Sequence, residues 1–271
     1  MANTTEEEVQ EALWNGSIPV KVEVADDVLE REAELPPLFL QAPRQAPVGA
    51  IQEQVLQHIS DVLPPGRLGL TFWDRNGVHL KSNYPLGVLY DLMEIEETPW
   101  RLLVKCITEP EGDDAKDQFF NALKASSYAA TGSSQHVITM PTVERQKLWA
   151  ACGSGNRQEY EGAAVGFHNK MEHAQRFLVR VFCRRNERMT SSSGNWWKEH
   201  IESKLKMVVR SDEGSMETRQ VLGKWLREDA DLEMARVIVA GITCPLETSL
   251  EQLWRLLRAP DFVLYIVVRW T

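Results

Sequence analysis

Cysteine is scarce. The four residues Cys106, Cys152, Cys183 and Cys244 lie far apart in a chain of 271 and form no CxxC pair. That excludes a disulfide framework, and in a chain this long it predicts reduced thiols and an intracellular setting. Long hydrophobic runs are missing too. The longest, such as Val263–Val268, are about six residues, against the roughly 20 that a membrane-spanning helix needs, so any membrane contact is expected to be peripheral. The N-terminal stretch is acidic and lacks an apolar core, unlike a secretory signal. No GxxxxGK[ST] or GxGxxG loop offers a nucleotide site. Cys152-Gly153-Ser154-Gly155 is not GxSxG and follows no strand, so it reads as a helix end. A nucleophilic Cys152 would need a neighbouring His, and none is visible. His168 and His173 are five apart, which splits them across a helix, and no cysteine lies at metal-ligand spacing. The chain is therefore expected to have no catalytic residue, metal or cofactor.

Net charge is −9, which repels nucleic-acid phosphates and disfavours nucleic acid as a partner. The charge is uneven. Residues 1–64 hold twelve acids and three bases, whereas residues 176–210 hold nine bases and three acids. The basic stretch, with Arg184, Arg185 and Arg188, is a candidate membrane-facing patch; its plainer reading is solvated strand faces and loops. Trp196-Trp197, adjacent aromatics among these bases, form a second candidate for a membrane interface or partner anchor.

One module of strands and helices occurs twice. Ile18, Val20, Val22 and Val24 alternate with polar residues, which predicts a half-buried strand, and Leu38–Gln41 predicts a second. Ile51, Val55, Ile59 and Val62 recur at helical spacing until Pro64-Pro65-Gly66. Two strands at residues 68–73 and 78–80 flank an Asn76-Gly77 hairpin signal. A short helix, Leu86–Met93, then precedes the strand Trp100–Ile107. A mixed sheet wrapped on one long helix is the β-grasp arrangement of ubiquitin. The echo runs through strands at 177–182 and 205–209, a helix at 218–226, a strand at 237–240, a helix from Pro245 to Leu257 and a strand at 262–268. The Ser-rich stretch 186–196 predicts a loop. Between the copies, helices are expected at 115–128, at 143–151 behind an N-cap Thr142, and at 157–171. The expected class is α+β: an N-terminal helix at 1–13, a first ubiquitin-like domain at 14–107, a linker and helix-rich domain at 108–174, and a second ubiquitin-like domain at 175–271.

Short pieces in a fixed order then carry a resemblance. They are Trp14-x-Gly16-x-Ile18-Pro19, Glu30-Arg31-Glu32, Tyr84-Pro85-Leu86-Gly87-Val88-Leu89-Tyr90-Asp91-Leu92, Pro99-Trp100, Phe119-Phe120-Asn121-Ala122-Leu123-Lys124, Leu148-Trp149 and Gly241-Ile242 with Leu246-Glu247-Thr248. Over about residues 11–271 the chain resembles the autophagy-related protein 5 family. The resemblance implies a non-enzymatic protein joined through an isopeptide bond at Lys124 to the ubiquitin-like modifier autophagy-related protein 12. It implies a helical, non-covalent partner, autophagy-related protein 16, bound where the domains meet, with the N-terminal helix and Trp14 candidates for lining that groove. The conjugate would engage the conjugating enzyme of the lipidation reaction and promote transfer of autophagy-related protein 8 to phosphatidylethanolamine, in the cytoplasm and peripherally on pre-autophagosomal membranes. The pattern departs from the family at Ala125, where an acid is common, and over 184–200; the Phe119-to-Lys124 frame is intact. The reading from another class is a β-grasp interaction scaffold that is never modified.

Overall fold

The structure, a computed structural model, describes residues 5–25, 35–60, 69–95, 97–107, 115–172, 174–191, 194–209, 216–226 and 232–270, with the backbone alone at 107, 172, 184–191 and 194–202. Helix α1 (Glu6–Asn15) opens on a reciprocal cap: Thr5 Oγ1 accepts the Glu8 N–H and the Glu8 carboxylate accepts the Thr5 N–H. Strands β1 (Ser17–Val24) and β2 (Leu38–Pro43) follow, then one 3₁₀ turn leading into α2 (Gln52–Ile59). Ile51, Val55 and Ile59 are its buried stripe, as their spacing predicts; Val62 and Pro64-Pro65-Gly66 lie outside the described residues. Strands β3 (Gly69–Asp74) and β4 (His79–Leu80) are joined through Gly77 at φ +77°, with the Asp74 carboxylate accepting the N–H groups of Asn76 and Val78. Helix α3 (Leu86–Met93) and strand β5 (Trp100–Ile107) complete the first module within their expected bounds.

Four helices form the bridge: α4 (Ala115–Thr131), α5 (Gln135–Ile138), α6 (Thr142–Ser154) and α7 (Arg157–Glu172). The short α5 was not expected. Thr142 is the first helical residue rather than the cap, because Pro141 holds the extended cap position (φ −56°, ψ 145°). Helix α6 ends at Gly155, at φ +70°, so the Cys152-Gly153-Ser154-Gly155 segment is a helix C-terminus.

The second module comprises β6 (Arg176–Ser191), β7 (Gly194–Val209), α8 (Thr218–Trp225), β8 (Ala235–Val239), β9 (Ile242–Thr243), α9 (Leu250–Leu257) and β10 (Val263–Trp270). Two expectations are corrected. Residues 186–191 and 194–196 fall in a long antiparallel ribbon of β6 and β7, paired from Arg176↔Val209 to Ser191↔Gly194, and are strand rather than loop. Helix α9 starts at Leu250 and not at Pro245, because Ser249 Oγ caps it by accepting the Gln252 N–H.

The two sheets have one topology. Their orders are β2-β1-β5-β3-β4 and β7-β6-β10-β8-β9, with parallel central pairs β1/β5 and β6/β10 and antiparallel neighbours elsewhere. This is an α+β protein of two ubiquitin-like β-grasp domains with a helix-rich domain between them. The second sheet is covered on both faces. Val179, Val181, Leu264 and Ile266 pack with α8, α9 and the bridging helices, while Leu178, Phe182, Tyr265 and Val267 share a core with the first domain. Every residue of Val263–Val268 is therefore buried, which explains why β10 is a continuous apolar run and not an alternating one.

Candidate functional site

Lys124 sits in the middle of α4. Phe119, Phe120 and Leu123 face the core and fix the rotation of this helix. The Phe119 ring meets Phe120 and Trp149 edge to face, with centroids 5.3 Å and 5.7 Å away, and the Arg145 guanidinium lies 4.4 Å over the Phe120 ring. Lys124 falls on the flank of that apolar stripe and is half-exposed. Its amine donates a hydrogen bond of 3.1 Å to Asn121 Oδ1 at the surface, one turn back on the same helix. Asn121, Ala125 and Tyr128 continue this exposed face, and Tyr128 is 65% exposed.

The small residues around the lysine divide between two environments. Ala125 is exposed and leaves the approach to the amine clear. Ser126 and Ser127 point inward and are buried, with Ser127 Oγ donating to the Ser133 carbonyl at 2.8 Å.

Trp14, expected to line a partner groove, is a core residue at 8% exposure, its ring centroid 4.9 Å from that of Tyr160. One helical turn or more from Trp14, an open depression of about 560 Å³ lies between α1 and α9, lined by Thr5, Glu6, Val9, Ser249, Arg255 and Leu256 among others. Gln10 Nε2 donates to the carbonyls of Arg255 and Leu256, and Arg255 pairs with Glu6 at 2.9 Å, so α1 is pinned to the second ubiquitin-like domain. The side chains of Arg184, Arg185, Arg188, Trp196 and Trp197 lie outside the described residues, as does His173; only the backbone places the first five on the β6/β7 ribbon.

Cys152 and His168 lie in packed surroundings. Cys152 is fully buried as a free thiol, and burial pushes its pKa well above the usual value, the opposite of nucleophile activation. His168 stacks edge-on to Phe262 at 5.4 Å. Among the described residues no three His, Cys, Asp or Glu side chains gather as metal ligands, and no helix is long and apolar enough to cross a membrane.

Among the described residues, Asp261 is the carboxyl whose pKa is raised furthest. It is buried beside β10, where Oδ2 accepts the Tyr265 hydroxyl at 2.6 Å and Oδ1 accepts the Val263 N–H at 3.1 Å. Burial raises its pKa to about 6, and those two hydrogen bonds and Arg180 offset only part of the rise. The folded carboxyl thus holds its proton up to about pH 6, while the unfolded one releases it near 3.8. The folded state binds more protons between those values. This group's contribution is greatest below the unfolded pKa and is lost as pH rises through about 6. Asp261→Asn, which cannot titrate, is expected to remove up to about 3 kcal/mol of pH dependence between roughly pH 4 and pH 7. Urea unfolding of both proteins across that range measures the difference; parallel profiles would contradict the assignment.

With the geometry in place, comparison with known proteins identifies three consecutive matches to one family. Residues 13–106 match the UblA domain of autophagy protein ATG5, residues 112–166 its alpha-helical bundle region, and residues 180–268 its UblB domain. Autophagy protein 5 of Oryza sativa subsp. indica is 30% identical over 162 residues, covering 56% of this chain and 42% of the rice protein. The Arabidopsis thaliana protein is 30% identical over 157 residues, covering 55% and 46%. The chain's match thus spans less than half the length of these plant relatives. Autophagy-related protein 5 of Kluyveromyces marxianus is 22% identical across 97% of this chain and 100% of its own. The crystal structure of Kluyveromyces marxianus Atg5 superposes with a TM-score of 0.70 over 96% of this chain and 99% of that one, and at 22% identity this shows a shared fold. Matched domain after domain in the same order, the chain belongs to the autophagy protein 5 family.

Proposed function

We propose that this autophagy protein is the acceptor of the ubiquitin-like modifier autophagy-related protein 12, joined through the amine of Lys124 to the modifier's carboxy-terminal glycine. The observation that carries the reading is the amine itself, held at the surface of α4 by a single hydrogen bond to Asn121 and backed by a rigid aromatic cluster. Isopeptide formation needs an amine that reaches a thioester carbonyl and a scaffold that holds it still. In this reading the chain performs no catalysis itself. The conjugate acts as a ligase-like unit, engaging the conjugating enzyme that passes autophagy-related protein 8 to phosphatidylethanolamine during autophagosome formation, with peripheral contact to that membrane. The α1/α9 depression has the form that takes an amphipathic helix, and we assign it to the helical partner autophagy-related protein 16.

A reconstituted reaction tests the reading. The chain is incubated with the modifier, its activating and conjugating enzymes and ATP. A covalent product heavier by the mass of one modifier is expected on a denaturing gel. A chain that stays unmodified while still binding its partners is the never-modified scaffold instead.

A further inference from the structure

The geometry points to the outer edge of β7 as a docking site for an extended segment of a partner chain, one that alternates apolar and acidic residues and adds to the second sheet as a sixth strand. This site is separate from Lys124 and does not depend on its role.

Three observations converge on it. The first is an unpaired edge. β7 is the marginal strand of its sheet, and among the described residues it pairs only with β6. Its other side presents backbone N–H and C=O groups with no ladder partner, which is a template for strand addition. The other margins are protected. β4 and β9 have two residues each, and β2 ends on Pro43 behind Pro36-Pro37. β7 runs from Gly194 to Val209 with no proline.

The second observation is an apolar stripe on the same strand. Leu205, Met207 and Val209 alternate along β7 and are 42%, 49% and 53% exposed. Their cross-strand partners are Arg180, Leu178 and Arg176, and opposed residues of an antiparallel pair share a face. Leu178 belongs to the core between the two ubiquitin-like domains, together with Phe182, Tyr265 and Val267. The apolar face therefore continues from the interdomain core across β6 onto β7 and there meets solvent. A strand laid beside β7 would extend this face by one more row.

The third is charge. Lys204 and Lys206 lie between the apolar residues and project to the opposite face. Lys204 reaches the Trp225 carbonyl at 2.8 Å, whereas Lys206 is exposed with no ionic partner among the described residues. Lysines on an edge oppose pairing of that edge with itself, since like charges meet across the ladder. They favour a strand whose alternate residues are carboxylates. A second copy of this chain is thereby disfavoured and an acidic, apolar-alternating partner selected.

The test uses the full chain and a fluorescein-labelled, N-acetylated octapeptide of alternating valine and glutamate. Anisotropy is expected to rise on mixing, and hydrogen exchange is expected to slow at amides within residues 203–209. Met207→Glu and Lys206→Glu should each weaken binding about tenfold. Both side chains are exposed, so the unfolding midpoint should not move. The same peptide N-methylated at every second amide, which removes its edge donors, should not bind the unaltered protein. The inference is overturned by unchanged exchange over 203–209, by peptide binding that ignores Met207→Glu, or by equal binding of the methylated peptide. It is also overturned if phosphatidylcholine–phosphatidylserine vesicles, and not the peptide, slow exchange there, which would mark a membrane surface. Concentration-dependent dimerisation lost in Met207→Glu would replace the partner strand with a second copy.

Discussion

Arginine in place of Lys124 is expected to abolish the conjugate, cutting product formation by about a hundredfold or more in the reconstituted reaction. Arginine keeps the positive charge, a similar length and a similar helix propensity, but its guanidinium stays protonated and offers no usable nucleophile. The fold should not notice. Lys124 is half-exposed, and its amine makes one surface hydrogen bond, to Asn121, so a stability change within about 0.5 kcal/mol is expected. Loss of product with an unchanged unfolding midpoint is therefore chemical and not structural. Conjugate formed by the variant at the unaltered rate would mean that another amine is used, with Lys116, Lys147 and Lys170 the remaining lysines of the helical domain.

Asp91→Ala should be the most damaging single change at the junction of the two ubiquitin-like domains. Asp91 lies on α3 of the first domain, at 9% exposure. Its carboxylate accepts the Arg44 guanidinium at 2.5 Å, and that guanidinium lies against Gly241 of the second domain. Its carbonyl accepts Arg269 of β10 at 3.1 Å, and Arg269 also pairs with Glu94. Gly241 sits at φ +84°, and a Cβ there would come within 2.7 Å of the Arg44 guanidinium, so the contact needs glycine. Removing the carboxylate strands the largely buried Arg44 charge, at a cost of about 3–5 kcal/mol. Burial nonetheless raises the Asp91 pKa despite the pull of Arg44. Desolvation thus outweighs attraction, so apolar residues of similar volume should replace the pair at little net cost. The double variant Arg44→Met, Asp91→Leu should consequently recover part of the loss. Urea denaturation of the two singles and the double measures this; a loss below about 1 kcal/mol in Asp91→Ala would contradict the junction described.

What was legible in the sequence follows from burial. Ile18, Val20 and Val22 alternate because one face of β1 is packed, and α3 and β5 were bounded by Pro85 and Pro99. The repeat of form was visible because both domains meet the same demand, a sheet closed by helices. The β6/β7 ribbon within 186–196 reads as a loop because the stretch is Ser-rich and carries no alternating apolar imprint. β9 is too short to leave a period. Trp14 packs in the core against Tyr160, a residue remote in the chain, and its partner there leaves no local pattern. The Arg44–Asp91–Gly241 contact joins residues remote in the chain, so no local pattern could reveal it. Asp261 directly precedes the apolar run Phe262–Val268, and a carboxylate at the mouth of a buried strand is a signal that it needs buried partners.

Mass spectrometry of the protein isolated from its own cells tests the acceptor assignment most directly. A tryptic peptide spanning Phe119–Lys124, uncleaved after that lysine and carrying the glycine-terminated remnant of the modifier on its amine, is the expected result. A remnant on a different lysine, or a fully cleaved, unbranched Lys124 peptide in cells where autophagy is running, would contradict it.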